Sequence, residues 1–256
     1  MTDPKDRFTD CVDDYVRYRP TYPPALLELI TRKCGLGAGR VAADIGSGTG
    51  ILSRLLLQSG GRVVGVEPNG AMRAAAEAAL STDARFESVD ASAEETGLPD
   101  ASVDVIACAQ AFHWFDPVRS RAEFGRILKP GGWVVLAWNR RKDTPLGRDY
   151  EDLLERFAPE YAQVRTREHA AEPGLVALFA PLPPNFVRFD HAQLLDEADL
   201  RGRLLSSSYV PQKGHALFEP MLRRLGEIFG AHEQGGVVRL AYDTLVWYGR
   251  LSSLRP

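Results

Sequence analysis

The sequence predicts an α/β fold built on an open sheet. The first observation is a short apolar run, Val41–Ile45, which stops at a glycine-rich turn over residues 46–50. An apolar pattern with helical spacing follows through Leu52, Leu55 and Leu56. Strand, tight turn and helix in this order form the first unit of an open α/β sheet. The second observation is size, because 256 residues of which 45% are hydrophobic suffice for one domain of this type, with or without a small lid.

The spacing of the glycines and a neighbouring acid indicate what the turn binds. The dinucleotide fingerprint is G-x-G-x-x-G, whereas this run is G-x-G-x-G and places Ile51 where the last glycine of the fingerprint would fall. Asp44 lies two residues before Gly46. A carboxylate at this strand end would repel a pyrophosphate and would suit a ligand with a cationic ammonium group. The G-K-[ST] of a P-loop is missing.

A second acid follows at the tip of the next predicted strand, Arg62–Val66. Glu67 comes about 20 residues after the glycine turn, where an acid accepts hydrogen bonds from ribose hydroxyls. The predicted ligand therefore has a ribose and an amino group but no phosphate. S-adenosylmethionine (SAM) fits that description.

These residues resemble the class I SAM-dependent methyltransferases. D-I-G-S-G-T-G is similar to their first motif and V-G-V-E-P to the next, while A-x-x-x-H-W-F and L-K-P-G-G resemble later motifs of the type 11, small-molecule group. The R-P-x-Y-P segment before the first strand resembles methyltransferases of the trans-aconitate type. The resemblance implies a Rossmann-like, seven-stranded, mostly parallel sheet of order 3-2-1-4-5-7-6. Strand 7 would be antiparallel and helices would cover both faces.

The remaining elements follow from apolar periodicity and breaker residues. A helix is opened by Pro23 and Pro24 and closed by Gly35. Further strands are predicted at residues 85–89, 103–108, 133–138, 185–191 and 237–248, and helices at residues 69–81, 117–127, 149–160, 196–206 and 218–229. Beyond Ala162 the pattern loosens, and prolines from Pro173 onward predict an irregular connection.

The resemblance divides the chain into parts of one methyltransferase domain, residues 1–256. Residues 1–40 are expected to form an N-terminal lid and helix, and residues 41–140 the SAM-binding core. Residues 141–256 are expected to contain an insertion that shapes the acceptor pocket.

The cofactor residues are predicted partly from position and partly from the resemblance. Met72 is expected either beside the adenine or as a core filler, and Asp90 either accepts from the adenine amino group or caps a helix. One interpretation of the segment before the first strand is a lid, with Tyr18 or Tyr22 covering the cofactor and Arg19 pairing with its carboxylate. The alternative is a surface arm whose tyrosines pack on the sheet. The complete set is Tyr18, Arg19, Asp44, Gly46, Ser47, Gly48, Glu67, Pro68, Met72, Asp90, Ala91 and Gln110.

The acceptor side is predicted at His113, Trp114 and Tyr22. His113 and Trp114 follow directly after a predicted buried strand, on the rim where open α/β sheets bind ligands. A histidine beside aromatic residues is also commonly a packed structural group. A carboxylate acceptor would be oriented by an arginine, with Arg17, Arg19, Arg140 and Arg148 as the candidates.

The predicted activity is transfer of a methyl group from SAM, leaving S-adenosylhomocysteine, to a small molecule. O-methylation of a carboxylate or hydroxyl is favoured. Two alternatives stay open: an NAD-dependent oxidoreductase, disfavoured by Asp44 and the glycine spacing, and a non-catalytic SAM-binding protein.

Composition limits the partners and the compartment. The net charge is −3 and the pI about 6.0, without a long basic run, which argues against nucleic acid as the main partner. The three cysteines show no metal-ligand spacing and are too sparse for a disulfide framework. No apolar stretch approaches membrane-spanning length, so a cytoplasmic protein without a metal is expected.

Overall fold

Seven strands form one mixed sheet in the computed structural model, which describes residues 12–251. The strands are β1 (Val41–Ile45), β2 (Arg62–Val66), β3 (Phe86–Val89), β4 (Val103–Ala109), β5 (Leu128–Arg141), β6 (Asn185–Leu195) and β7 (Val238–Gly249). Their order is β3-β2-β1-β4-β5-β7-β6. Strand β7 runs antiparallel to its neighbours β5 and β6, and the other neighbouring strands pair in parallel. The predicted sheet order and the antiparallel strand 7 are confirmed.

Alternate residues of the central strands point to opposite faces of the sheet, and each face is covered by helices. The helices are α1 (Val12–Tyr18), α2 (Pro24–Cys34), α3 (Ile51–Leu57), α4 (Gly70–Leu80), α5 (Pro117–Ile127), α6 (Pro145–Phe157), α7 (Tyr161–Phe179), α8 (Glu197–Leu205) and α9 (Phe218–His232). Ala42 packs with α2 and α3, whereas Ala43 packs with α5 and α7. This alternation is the period of two that a strand imposes on its side chains.

A separate apolar cluster holds the C-terminal part together. Side chains of α6, α8 and α9 pack there against the beginning of β7, around the fully buried Tyr150, Leu200 and Met221. The cluster places α6 and α8 beside the carboxyl end of β5. These elements therefore form one wall of the space beyond that end of the sheet.

Helix α7 corrects the prediction of an irregular connection after residue 162. Pro173 lies inside the helix, where it removes one backbone donor. Three apolar residues near the helix end, Leu175, Leu178 and Phe179, are buried against the main core. Their burial compensates for the missing hydrogen bond, which local sequence rules do not reveal.

Most other predicted elements are confirmed, with shifted ends. Helix α6 begins four residues before its predicted start, because Pro145 follows the capping side chain of Thr144, which accepts a hydrogen bond from the Gly147 amide. Asn69 caps α4 as predicted, accepting from the Met72 amide at 2.9 Å. Within the described residues, no helix combines the length and apolarity needed to cross a membrane.

The N-terminal segment lies across the C-terminal part of the chain. Helix α1 packs on α8, and Gly202 of α8 leaves room for the Tyr18 ring, which a β-carbon at this position would approach to 2.2 Å. The Arg19 guanidinium donates to the Ser206 carbonyl at 2.9 Å. These contacts set Tyr15–Tyr22 over the carboxyl ends of the central strands.

Candidate functional site

The carboxyl ends of β1 and β4 define the candidate site. The strands are neighbours, and the strand order reverses between them, which is where open α/β sheets bind ligands. Gly46 directly follows β1, and the segment after β4 passes so close that a β-carbon on Gly46 would lie 2.5 Å from the Ala111 β-carbon. Gly46 also has a positive φ of 70°. Both observations explain why glycine begins the turn.

The glycine turn is fixed by the second strand. The amides of Gly46 and Ser47 donate to the Val66 carbonyl at 2.8 and 3.2 Å. The Gly48 amide donates to Glu67 Oε2 at 2.9 Å, and the Asn69 amide donates to Glu67 Oε1 at the same distance. Glu67 therefore connects the turn after β1 to the turn after β2.

Glu67 retains acceptor capacity toward the space beside the turn. A carboxylate offers about four lone-pair sites, and the amides of Gly48 and Asn69 occupy one on each oxygen. Burial raises the pKa of Glu67 above its usual value, although hydrogen bonds from Asn69 and Gly48 and the Arg73 charge favour the carboxylate. Hydroxyl donors from a ligand would stabilise the same charged form.

A cavity of about 230 Å³, here called the glycine-loop pocket, opens beside Glu67. Its floor is the backbone of Gly46 and Gly48, and its side wall includes Met72, which is 3% exposed. The remaining lining residues are Tyr15, Glu67, Pro68, Asn69, Ser92, Ala93, Glu94, Ala109, Gln110, Ala111, Trp114 and Phe115.

Asp44 lies directly behind this pocket but faces helix α3. Its Oδ2 accepts from the Ser53 hydroxyl at 2.6 Å, and its buried Oδ1 has no hydrogen-bond partner within the residues that the structure describes. Burial raises the pKa of Asp44 from 3.8 to about 7, against the opposing effect of the Ser53 hydrogen bonds. A cation reaching Oδ1 would restore the charged form.

Gln110 marks the boundary between the glycine-loop pocket and a second cavity. It adopts a positive φ of 57°, uncommon for a residue with a side chain, at the end of β4. Its amide donates to the Ala137 carbonyl at 3.0 Å, and its Nε2 donates to the Asn139 carbonyl at 3.2 Å. Gln110, Tyr15 and Trp114 line both cavities, so the two share a wall.

The second cavity, here called the arginine chamber, has a volume of about 400 Å³ and lies beyond the ends of β5 and β7. His113 and Tyr22 line it together with Trp114. Seven cationic side chains face it, and the carboxylates in its lining are Asp143 and Glu151. The cations are Arg19, Arg140, Arg141, Lys142, Arg148, Arg165 and Arg203.

The arginines impose a positive field on the tyrosines of the chamber. Burial opposes ionisation of Tyr209, yet the guanidiniums of Arg141, Arg19 and Arg203 outweigh it. The pKa of Tyr209 therefore lies below 10.0, the usual value. The field at the Tyr209 hydroxyl therefore favours negative charge.

The structure brings most of the predicted residues to these two cavities. Gly46, Gly48, Glu67, Pro68, Met72 and Gln110 line the glycine-loop pocket, and Arg19, Tyr22, His113, Arg140 and Arg148 line the arginine chamber. Trp114 lies in the wall between them.

Five predicted cofactor residues do not line either cavity. Tyr18 packs on α8, Ser47 directs its hydroxyl toward Gly65 of β2, and Asp44 faces Ser53. Asp90 pairs with Arg73 at 2.9 Å, and the segment just after it, Ser92–Glu94, reaches the pocket in place of Asp90 and Ala91. Their cofactor contacts remain predictions. Arg17, an acceptor candidate, lies over the Tyr18 ring.

Sequence reasoning missed several residues of the arginine chamber. Arg141 directly follows Arg140, a predicted acceptor candidate, but was not itself predicted. Arg203 could not be predicted either, because an arginine on a helix is mostly exposed to solvent. Tyr209 and Tyr242 lie in a loop and a strand without a recognisable motif. Tertiary packing alone collects these side chains.

The sheet order, the glycine turn at the switch point and the acid at the tip of β2 together give this chain the fold of the class I SAM-dependent methyltransferases. Residues 43–136 match the type 11 family model described as a methyltransferase domain. This match argues against the alternative of an NAD-dependent oxidoreductase.

Relatives and solved structures agree with this assignment. An uncharacterized methyltransferase of Mycobacterium tuberculosis is 38% identical over 166 residues, which are 65% of each chain. An uncharacterized methyltransferase-like protein of Schizosaccharomyces pombe is 26% identical and is matched over 94% of this chain and 93% of its own. A proposed type II methyltransferase from Anaeromyxobacter dehalogenans has a similar structure, with a TM-score of 0.67 and 27% identity over 91% of this chain and 98% of its own. The match covers just under two thirds of the length of the mycobacterial relative.

Proposed function

We propose that this chain transfers a methyl group from SAM to an oxygen of a small molecule, with a carboxylate or hydroxyl as the acceptor. One observation carries the proposal. The glycine-loop pocket and the arginine chamber share Tyr15, Gln110 and Trp114, so a donor in the first and an acceptor in the second would meet at that wall. Such adjacency is what a direct transfer between two bound molecules requires.

The residues of the glycine-loop pocket suit an adenosyl group. The bare backbone of Gly46 and Gly48 allows a close approach, and the remaining lone pairs of Glu67 suit ribose hydroxyls. Met72 and Phe115 supply apolar surface for a purine ring. Asp44 does not line this pocket, but its buried Oδ1 has no hydrogen-bond partner among the described residues and would suit an ammonium group that reached it.

The chain's own task in this reaction is alignment and exclusion of water. When bound, SAM supplies a methyl group on a positively charged sulfur, which the acceptor takes in an in-line displacement that leaves S-adenosylhomocysteine. Trp114 and Gln110 lie where the reacting atoms would meet, and the segment around Tyr15 covers that place. Holding two reactants in line and away from water supplies much of the acceleration in such reactions.

His113 is the proposed general base, which would take the proton of a hydroxyl acceptor. It lines the arginine chamber one residue before Trp114, on the 3₁₀ turn Phe112–Trp114 after β4. A hydroxyl oxygen loses its proton as the new bond to carbon forms, and an imidazole takes up such a proton near neutral pH. A carboxylate acceptor needs no base, so His113 would then only shape the chamber.

Two measurements test the proposal. Calorimetric titration with S-adenosylhomocysteine, with NAD in parallel, should show binding of the first alone. Release of labelled methyl from SAM should then be followed with panels of carboxylates and of phenols. If phenols are the acceptors, His113→Gln should lower turnover by about 10²- to 10⁴-fold, the usual contribution of a general base.

The exposed His215 provides a matched control, since His215→Gln changes the same residue type outside both cavities. Binding of S-adenosylhomocysteine without turnover on either panel would support the non-catalytic alternative. Binding of NAD alone would overturn the proposal.

A further inference from the structure

Arg203 is the most deeply buried cation of the arginine chamber. Its side chain comes from α8, between the chamber and the C-terminal apolar cluster, and the residue is 3% exposed. Its Nε donates to the Tyr242 hydroxyl at 3.3 Å, and its Nη1 lies 3.4 Å from the hydroxyl oxygens of Ser206 and Ser207. Each of these contacts is long and reaches a neutral group.

No carboxylate among the described side chains lies within ion-pair distance of Arg203. Removing a guanidinium from water costs several kcal/mol, which an ion pair or several strong hydrogen bonds normally offset. Neutral hydroxyls at more than 3.2 Å offset little of it. The chain therefore keeps a buried charge whose partner is not part of its own described side chains.

Arg141 adds a second guanidinium with spare donors. It extends from the end of β5, directly opposite Tyr242 in the register with β7, and its Nη2 donates to Glu151 at 2.8 Å and to the Tyr161 hydroxyl at 2.6 Å. Its Nε is buried and has no partner in the described part of the chain. Glu151 thus neutralises part of the charge of Arg141, and the charge of Arg203 stays without a carboxylate among the described side chains.

We infer that Arg203 and Arg141 form an oxyanion-binding subsite in the arginine chamber, and that the methyl acceptor is an anionic small molecule held there by a carboxylate or phosphate group. Two guanidiniums with unused donors match the planar, bidentate geometry of such groups. The Tyr209 hydroxyl, in the field of both arginines, lies in the same lining. The inference rests on the proposed function and names the class of acceptor.

The position of the subsite also indicates which end of the acceptor the two arginines would hold. The boundary residue Gln110 follows β4, whereas Tyr242, which contacts Arg203, lies on β7, two strands away in the sheet. Two strand spacings correspond to about 10 Å. The bound anion is therefore an anchor, and the oxygen that receives the methyl group lies at the opposite end of the acceptor, near Trp114.

Titration with simple oxyanions tests the subsite before the acceptor is known. Benzoate, citrate and inorganic phosphate are titrated calorimetrically into the protein with and without S-adenosylhomocysteine, and neutral benzamide serves as the matched probe. At least one oxyanion should bind at least tenfold more tightly than benzamide. Binding of the carboxylates alone or of phosphate alone identifies the group, and binding of both supports a general oxyanion subsite.

Substitution of Arg203 should remove this binding. Arg203→Met should weaken it at least tenfold and leave the affinity for S-adenosylhomocysteine unchanged, and Arg224→Met, at an exposed arginine of α9 paired with Glu227, should change neither. The midpoint of thermal unfolding of Arg203→Met should stay the same or rise relative to wild type, because an apolar side chain replaces an uncompensated buried charge. Arg203→Lys and Arg141→Lys keep the charge but lose the planar fork, and both should weaken binding severalfold even if Arg203→Met does not fold.

The outcomes separate the subsite from the methyltransferase activity. Failure of all three oxyanions to bind, or equal binding to wild type and Arg203→Met, would overturn the subsite even if S-adenosylhomocysteine binds. A lowered unfolding midpoint with unchanged oxyanion binding would show that Arg203 is purely structural. Oxyanion binding without any binding of S-adenosylhomocysteine would leave the subsite standing and overturn the proposed function.

Discussion

The buried carboxyl of Asp44 should make the stability of the protein fall as the pH rises. Asp44 is 1% exposed, and burial raises its pKa from 3.8 to about 7. Between these two values the folded chain holds a proton that the unfolded chain has lost, so raising the pH favours unfolding. The stability contribution of this proton is complete below pH 3.8 and is lost as the pH rises to about 7.

The magnitude follows from the size of the shift. A change of about three pKa units corresponds to about 4 kcal/mol, and about 3 kcal/mol of this would be lost between about pH 5 and pH 8. Full burial means that no reduction for solvent screening applies. Asp44→Asn removes the titration, while the Asn side-chain oxygen can still accept from Ser53.

Urea unfolding of the ligand-free protein across this pH range measures the effect. The free energy of unfolding of wild type should fall relative to that of Asp44→Asn by about 3 kcal/mol, the amount derived above. Taking the difference cancels the other titrating groups, including Glu67, whose raised pKa acts in the same direction. Asp152→Asn, at an exposed carboxylate of α6, should follow the wild-type curve. Parallel curves for wild type and Asp44→Asn would refute the reasoning.

Two further substitutions probe the pocket and the segment over it. Glu67→Ala should weaken the binding of S-adenosylhomocysteine by about 1–3 kcal/mol, the usual cost of leaving buried partners without an acceptor, and unchanged calorimetric affinity would remove the ribose role. Gly202→Ala would place a β-carbon 2.2 Å from the Tyr18 ring and should displace α1 from α8, which limited trypsin cleavage after Arg17 would detect. Gly230→Ala, where a β-carbon meets nothing within 4 Å, should leave the cleavage pattern unchanged.

The proximity of the glycine turn and Glu67 could be predicted from the sequence because the two are close together in the chain. Glu67 lies 19 residues from Gly48, which it holds, and both belong to one strand–turn–helix–strand unit with recognisable spacing. Asp44 was assigned to the cofactor half of the site, but its orientation toward Ser53 depends on how α3 packs and could not be predicted. Helix α7 was not predicted, because proline normally breaks a helix, whereas burial of Phe179 keeps the segment around Pro173 helical.

The arginine chamber could not be predicted from the sequence, because its contacting residues lie far apart in the chain. Arg203 contacts Tyr242, which lies 39 residues farther along the chain, and no spacing rule connects a helix to a strand at that distance. Arg141 is joined to Tyr242 only through the register of β5 with β7. Contacts of this kind form only when the sheet is complete, so local sequence patterns do not predict them.

The glycine-loop pocket can be predicted from the sequence and the arginine chamber cannot, because the two would recognise different kinds of molecule. A donor that is the same throughout a family requires the same turn and acid in every member, and those stay close together in the chain. In the proposed function the acceptor would be recognised by the side chains that β5, α6, α8 and β7 bring together, and any one of them can change without disturbing the glycine turn. If Arg203 and Arg141 select an anion, substituting them should change which acceptor is used while the donor site remains intact. Acceptor choice in this fold would then be set by the charge of the chamber wall, a property that requires the folded C-terminal part and that residues 43–136, matched by the family model, do not contain.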